Sequence, residues 1–449
     1  MTDKASQVAD DNKLSDTKIA HKPLADGVHD NIVDVAAEYS DQYYRKLLWK
    51  IDLFLLPLMW ICYGTQQTDK TSLSVQAVFG IREDTGLVGE QFNWLSTIFY
   101  LSYMVCEAPG NWLMQKCHTG KFLSIVMVLW GVIVLCIAFA KNFAHLMILR
   151  AFQGALECTI SPTYMLITGA WYTSQEHTLR SLIWGTSNAG MNILAGLSMY
   201  GIGLHAEKHP GGLAAWKGIS FLLGALTITC GILVWFILGT PREVRWLSED
   251  EKRAAIARIV TNQTGSDREK RSEFKWDQVW TTFKALWLAD PQTYFFFFVT
   301  IVNALPNGAN TTFSKLIWKS FGFTPLETLI KGSTPYYCVS ICWFLIVGFV
   351  TLKKPNLRFL MMMFSLVPAF SGMMALAFLP QNTMKWTRWG MYILQVFGSL
   401  PGLNIWENRR RAKLIREQGI SEEESERIGT ANAEADMTDR ENIHFKYKY

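Results

Sequence analysis

Charged residues are scarce in this sequence: Asp, Glu, Lys and Arg together make up 18% of its 449 residues, whereas 50% are hydrophobic. This balance excludes a disordered chain and a soluble enzyme, because both carry far more charge. The net charge of +5 is too small to indicate a nucleic-acid partner. A signal peptide is also missing, since the first 40 residues are polar and mixed in charge. We therefore expect a cytosolic N-terminal tail.

The eight cysteines do not form the pattern of a metal site or a disulfide framework. Seven lie in apolar surroundings, and only Cys117 falls in a short polar connector. Cys338 and Cys342 are one helical turn apart, but no His or carboxylate accompanies them. No nucleophile or phosphate-binding loop stands out either. The sequence therefore predicts no enzymatic activity, no metal and no cofactor.

Long apolar runs fill most of the remaining sequence. Outside three polar blocks, at 1–46, 241–289 and 407–449, there is room for about ten spans of about 20 apolar residues with short connectors. Ten such segments occur, near residues 48–73, 91–114, 122–140, 143–168, 182–204, 218–239, 290–312, 330–352, 357–380 and 386–406. The pattern predicts an all-α integral membrane protein.

Lys and Arg are concentrated in alternate connectors, which indicates that these connectors are cytosolic. Both termini and the long middle connector fall on that side. The layout is typical of a two-halved transporter: a tail (1–46), a six-helix half (47–240), a linker (241–289), a four-helix half (290–406) and a second tail (407–449).

The linker contains a helix start signal. Ser248 and Glu251 have the spacing of a capping box, and small and apolar residues follow at helical spacing. This predicts an amphipathic helix against the cytosolic face. The helix either has a regulatory role or is simply a solvated charged helix.

The fourth span carries the strongest functional signal. Arg150, Gly154 and Glu157 stand at i, i+4 and i+7, which places a guanidinium, bare backbone and a carboxylate on one helical face. Counted from Phe143, Arg150 lies about 10 Å deep and Glu157 about 21 Å deep, on either side of the midplane. Such charges face a protein interior. They suit an anionic substrate and a transferable proton, or alternatively a structural ion pair.

Asp69 and Lys70 repeat this combination in the first span. Adjacent residues point about 100° apart on a helix, so these two side chains are predicted to serve different partners. Taken alone, they are equally consistent with an interfacial pair on the extracellular side.

Further polar residues lie near the cytosolic ends of spans two and four. Glu107, Pro109, Glu176 and Arg180 suit inter-helix clasps that open and close with a transport cycle. The alternative is that they are solvated residues at the interface.

Span seven is interrupted by Pro306, and the amides of Asn307 and Asn310 follow it. Proline removes one backbone hydrogen bond, and amides can satisfy freed backbone groups or a polar ligand. We predict a gating or binding kink here.

Together these residues resemble the motifs of a known family. Leu146 to Gly154 resembles the fourth-helix motif of the major facilitator superfamily, and residues 43–406 resemble the fungal allantoate permease branch of its anion:cation symporter family. The branch pattern is carried by Asp69-Lys70, Glu107-Ala-Pro109-Gly-Asn111, Glu157, Pro162, Trp171-Tyr172, Glu176, Arg180, Pro241 and Leu247-Ser-Glu-Asp-Glu251.

The resemblance implies proton-coupled symport of a small organic anion by alternating access. It implies that Asp69 and Glu157 carry protons and that Lys70 and Arg150 engage the substrate carboxylate, with the proton as coupling ion. Substrates of the branch include allantoate, ureidosuccinate, nicotinate, pantothenate, biotin and small peptides. We expect a monomeric, multi-pass protein of the lipid bilayer, in the plasma membrane.

The span count departs from the family, which has twelve helices in two halves of six. The ten segments here imply a major facilitator-like bundle of six plus four spans, with the last two helices missing. The alternative function is therefore a truncated, non-transporting membrane sensor or an inactive remnant.

Overall fold

The computed structural model of the chain describes residues 40–173, 176, 180, 183, 185–259, 280, 291–353, 358–380 and 384–397. These residues form helices and connecting turns with no β-strand among them, which confirms the all-α prediction. In chain order the helices are α1 (Asp41–Val78), α2 (Ile81–Asp84), α3 (Gln91–Lys116), α4 (Thr119–Ile137), α5 (Phe143–Glu157), α6 (Ile160–Trp171), α7 (Ser187–Lys208), α8 (Ala215–Ile237), α9 (Glu249–Ile259), α10 (Pro291–Ser320), α11 (Pro325–Glu327), a π-helix (Thr328–Ser333), α12 (Thr334–Lys353), α13 (Arg358–Phe378), α14 (Lys385–Ile393) and a 3-10 turn (Leu394–Phe397).

Each predicted apolar segment overlaps a helix among the described residues, although 143–168 is divided between two helices and 386–406 is described only to residue 397. Four helical stretches are long and apolar enough to cross a membrane by a strict criterion, namely Gln42–Val78, Thr119–Ile137, Ala215–Ile237 and Pro325–Val350. The total of ten crossings stays a prediction. Helix α1 begins inside the predicted tail, while residues 1–39, 260–279, 281–290 and 398–449 lie outside the described residues.

Helix α1 forms the centre of the first half. Ser40 caps its start, since the Ser40 hydroxyl accepts from the Tyr43 backbone N–H at 3.4 Å. Leu47, Ile51 and Leu55 recur every four residues and are at most 3% exposed, so one face of α1 is buried among α4, α6 and α8. This packing holds the polar second half of α1 inside the bundle.

The predicted fourth span, 143–168, is not one continuous helix. Helix α5 ends at Glu157 and α6 begins at Ile160, with a turn at Cys158 and Thr159. Pro162 lacks the N–H that would bond to the Cys158 carbonyl, which explains the interruption. Glu157 therefore lies at a helix junction rather than in mid-helix.

Helices α3 and α5 approach closely at Gly154. A Cβ atom there would collide with the backbone carbonyl of Phe99, and Gly154 is buried. The absence of a side chain lets the two backbones pack together and places the next turn of α5 against α3.

Replacing Gly154 with alanine is therefore expected to destabilise the fold by about 1–3 kcal/mol, because the new methyl group meets backbone that cannot rotate away. The measurement is the thermal unfolding temperature of the purified protein in detergent. Gly169→Ala is the matched control, since a Cβ at Gly169 meets nothing within 4 Å. Equal unfolding temperatures for the two variants would contradict this role of Gly154.

The second half has its own aromatic cluster of Trp318, Phe321, Phe323 and Tyr392. Helix α11, the π-helix and α12 follow one another directly in the chain. A capping box formed by Thr324 and Glu327 lies at the start of α11. Across the two halves, α10 packs on α1 and α12 packs on α7.

Candidate functional site

The four charged residues predicted on spans one and four come together in the structure. Lys70 Nζ lies 3.1 Å from Glu157 Oε1, which joins α1 to the end of α5. Glu157 is fully buried and Arg150 is 4% exposed. We call Asp69, Lys70, Arg150 and Glu157 the charge cluster. Glu157 therefore has its ion-pair partner on another helix, not in Arg150 of its own helix.

Gln153 links the remaining two members of the charge cluster. Arg150 Nη1 donates to Gln153 Oε1 at 2.7 Å, and Gln153 Nε2 donates to Asp69 Oδ2. Trp130 Nε1 on α4 also donates to Asp69 Oδ2, at 3.0 Å. Asp69 and Lys70 thus serve different partners, as helix geometry predicts. Asp69 is 1% exposed, so its carboxylate is packed inside the helical bundle.

The charge cluster contains two cations and two carboxylates. Aromatic rings lie on the cations: Arg150 Cζ is 4.7 Å from the ring centre of Phe99, and Lys70 Nζ is 5.6 Å from that of Tyr103. Among the residues the structure describes, Arg150 Nε and Asp69 Oδ1 have no hydrogen-bond partner. Since buried polar atoms are nearly always paired, both can bind a further group. Such a site can accept an anion and hold a proton.

A polar cavity of about 150 Å³ lies between the two halves. Gln67 and Thr71 of α1 line it from the first half, and Asn310 and Ser314 of α10 line it from the second. Gln67 and Thr71 stand on either side of Lys70 in the sequence. The cavity is therefore next to the α1 segment that contains Asp69 and Lys70, although none of the four charge-cluster residues lines its wall.

The structure places the predicted amides of span seven in different ways. Asn310 lines the cavity, donates to Tyr336 Oη at 3.0 Å and accepts from Tyr392 Oη. Pro306 and Asn307 belong to α10, but their side chains lie outside the described residues. Their predicted gating and binding roles stay predictions.

Two of the predicted cytosolic residues form ion pairs between elements. Arg180 forms two hydrogen bonds to the Asp52 carboxylate of α1, the shorter at 2.9 Å. Glu176 Oε1 lies 3.1 Å from Arg258 Nη1 of α9. Glu107 and Pro109 are exposed on α3, and no described ion pair includes Glu107. The gating roles of all four residues stay predictions.

The linker helix α9 is docked on the first half. Its capping box forms, and Lys50 Nζ lies 2.8 Å from Glu251 Oε2. Burial opposes ionisation of Glu251, but hydrogen bonds from Lys50 and Ser248 outweigh it and hold the pKa of Glu251 below its ordinary value. This contact therefore stabilises docking at neutral pH, and the stabilisation is lost as the pH falls from the ordinary pKa of glutamate through the lower pKa of Glu251.

Arg258 provides a direct test of this docking. Its guanidinium also donates to the Trp171 carbonyl at 2.7 Å. Arg258→Gln is expected to speed amide exchange of α9 about tenfold, because it removes charge-assisted hydrogen bonds at a partly buried site. The exposed Arg253→Gln on the same helix is the control. Equal exchange rates in both variants would show that Arg258 does not anchor α9.

Several residues of these sites have little or no functional signal in the sequence. Gln153 lies within the fourth-helix motif, but Trp130 gives no local signal because its partner is on another helix. Asp52 and Arg258 are ordinary charges in the sequence. Among the described residues, no group of three His, Cys, Asp or Glu side chains is placed to hold a metal ion.

Comparisons with known proteins agree with this architecture. A family model described as Major Facilitator Superfamily matches residues 59–406. Uncharacterized transporter C757.13 of Schizosaccharomyces pombe is 30% identical over 85% of this chain and 72% of its own length. Allantoate permease of Saccharomyces cerevisiae is 30% identical over 66% of this chain, but the match spans only 53% of that protein.

Solved structures show the same fold at low identity. The proton:xylose symporter XylE, bound to 6-bromo-6-deoxy-D-glucose, superposes with a TM-score of 0.55 and 12% identity. The match covers 79% of each chain. At this identity the likeness concerns the helical fold alone.

Proposed function

The chain belongs to the Major Facilitator Superfamily, and on that premise we propose that it is a proton-coupled symporter of a small organic anion. It is a multi-pass membrane transporter and not an enzyme. The coupling ion is the proton, and transport proceeds by alternating access between the two halves. We place it in the plasma membrane, as a monomer with both termini in the cytosol.

The main support for the proposal is the arrangement of the charge cluster. Glu157 is fully buried and pairs with the partly buried Lys70, and Arg150 reaches Asp69 through Gln153. Unbalanced buried charges cost several kcal/mol each, so the cluster is most stable when its total charge is zero. An anion can therefore bind without unbalancing the cluster only if one of its carboxylates is protonated.

The need for charge balance couples anion binding to proton binding. Protonation of Asp69 or Glu157 leaves one cation without a counter-ion. A substrate carboxylate then restores neutrality by binding Arg150 or Lys70, and Arg150 offers it a planar fork of donors. Proton and anion therefore bind cooperatively, and the anion leaves when the proton leaves. One proton enters for each carboxylate charge that the cluster neutralises.

The substrate class follows from this chemistry and from the relatives. The site requires a carboxylate, and allantoate permease of Saccharomyces cerevisiae is one of the similar proteins. Allantoate and related ureides are therefore the first candidates. Carboxylate vitamins such as nicotinate and pantothenate meet the same requirement and form the second group.

Uptake of radiolabelled allantoate, nicotinate and pantothenate in yeast that lacks the corresponding permeases tests the proposal. We expect accumulation of at least one of them to be several-fold higher at external pH 5 than at pH 7, and to collapse with an uncoupler. An empty vector is the control. Accumulation that is the same at both external pH values and unchanged by the uncoupler would contradict proton coupling.

A further inference from the structure

Lys315 on α10 is a buried cation that the charge cluster does not include. It is 3% exposed, and its Nζ donates to Ser333 Oγ at the end of the π-helix. The same atom lies 4.4 Å from the ring centre of Trp318 and 5.4 Å from that of Tyr337. A hydroxyl and two aromatic faces partly solvate an ammonium group, but they do not neutralise it.

The second half offers almost no carboxylate to balance this charge. Between residues 291 and 406 the sequence contains a single acidic residue, Glu327. Glu327 is already engaged, with its carboxylate oxygens 2.8 Å from Lys331 Nζ and 3.8 Å from Lys385 Nζ. In the charge cluster each carboxylate is matched by a cation. Among the described residues, Lys315 therefore has no ion-pair partner.

Lys315 also lies beside the cavity between the halves. Its neighbours Ser314, Trp318 and Tyr337 form part of the cavity wall. The opposite wall includes Gln67 and Thr71 of α1, the segment that carries Lys70. The cavity thus lies between the α10 segment that contains Lys315 and the α1 segment that contains Lys70, although neither lysine lines its wall.

We propose that Lys315 binds a second anionic group of the substrate, so that the preferred substrates are small organic dianions such as dicarboxylates. One carboxylate binds at the charge cluster, and the other balances Lys315 at the opposite side of the cavity. A substrate with a single carboxylate leaves the buried ammonium unbalanced and therefore binds less tightly. This inference rests on the proposed function, because it assumes that the cavity holds the transported anion.

Two probes with one carbon skeleton test the inference. Succinate carries two carboxylates, and succinamate has an amide in place of one of them. In calorimetric titrations of the purified full chain, we expect succinate to bind at least tenfold more tightly than succinamate. Lys315→Gln is expected to remove this preference, whereas Lys315→Arg retains it. The exposed Lys319→Gln, on the same helix, should behave like wild type.

Several results would overturn the inference. Wild type binding the two probes equally, or binding neither, would do so, as would a preference for succinate that persists in Lys315→Gln. Equal weakening of both probes in Lys315→Gln would indicate a structural role instead. Retained binding by Lys315→Arg shows that the site still folds. Failure of the proposed function is separate, because it requires that none of its test anions accumulates in response to a proton gradient.

Discussion

Replacing Arg150 with glutamine is expected to reduce carboxylate uptake about 100-fold or more, equivalent to about 2.7 kcal/mol of lost binding free energy. The guanidinium is the permanently charged member of the cluster and the one with a fork that fits a carboxylate. Its removal also takes the cation from the Arg150–Gln153–Asp69 chain of hydrogen bonds, while Asp69 keeps its bonds from Gln153 and Trp130. The measurement is the initial rate of labelled allantoate uptake, normalised to the amount of transporter in the membrane.

Two further variants serve as a conservative comparison and a control. Arg150→Lys keeps the charge but loses the planar fork, so its uptake should fall between that of wild type and Arg150→Gln. Lys141→Gln removes an exposed cation from the connector after α4 and should leave uptake unchanged. Wild-type uptake in Arg150→Gln would exclude Arg150 as the anion-binding group.

Replacing Glu157 with glutamine is expected to abolish accumulation of substrate against a gradient while exchange across the membrane continues. Glutamine imitates the protonated carboxyl group, so the variant stays in the state that binds the anion without a transferable proton. Lys70 then loses its ion-pair partner, 3.1 Å away in the native protein. In proteoliposomes we expect pH-driven uptake to fall to the background rate, with counterflow of labelled for unlabelled allantoate retained.

The control for this variant is Glu207→Gln, which neutralises an exposed carboxylate at the end of α7. It should preserve both pH-driven uptake and counterflow. Should Glu157→Gln still concentrate allantoate in response to a pH gradient, the proton would have to be carried elsewhere, and Asp69 would be the next residue to test.

The helices could be placed from the sequence because membrane segments depend on local composition. Each apolar run overlaps a helix among the described residues. The break after Glu157 was not predicted, although Pro162 lies two residues after the start of α6. Hydropathy does not respond to a missing backbone N–H, so a continuous apolar run conceals the interruption.

The candidate site was predictable only in part. Helix geometry was enough to place Arg150 and Glu157 on one face and to direct Asp69 and Lys70 to different partners. The bridge through Gln153 and the hydrogen bond from Trp130 depend on how helices pack, which residue spacing does not contain. Lys315 could have been noticed from the near absence of acidic residues after 291, but its burial required the structure.

In the proposed mechanism an anion and a proton cross the membrane together. Its most direct test is a pH-sensitive dye inside proteoliposomes that contain the purified chain, with no initial pH gradient and the membrane potential clamped. Addition of external allantoate is predicted to acidify the interior in wild type and to leave it unchanged in Glu157→Gln. Entry of labelled allantoate into wild-type vesicles without any acidification would contradict the account.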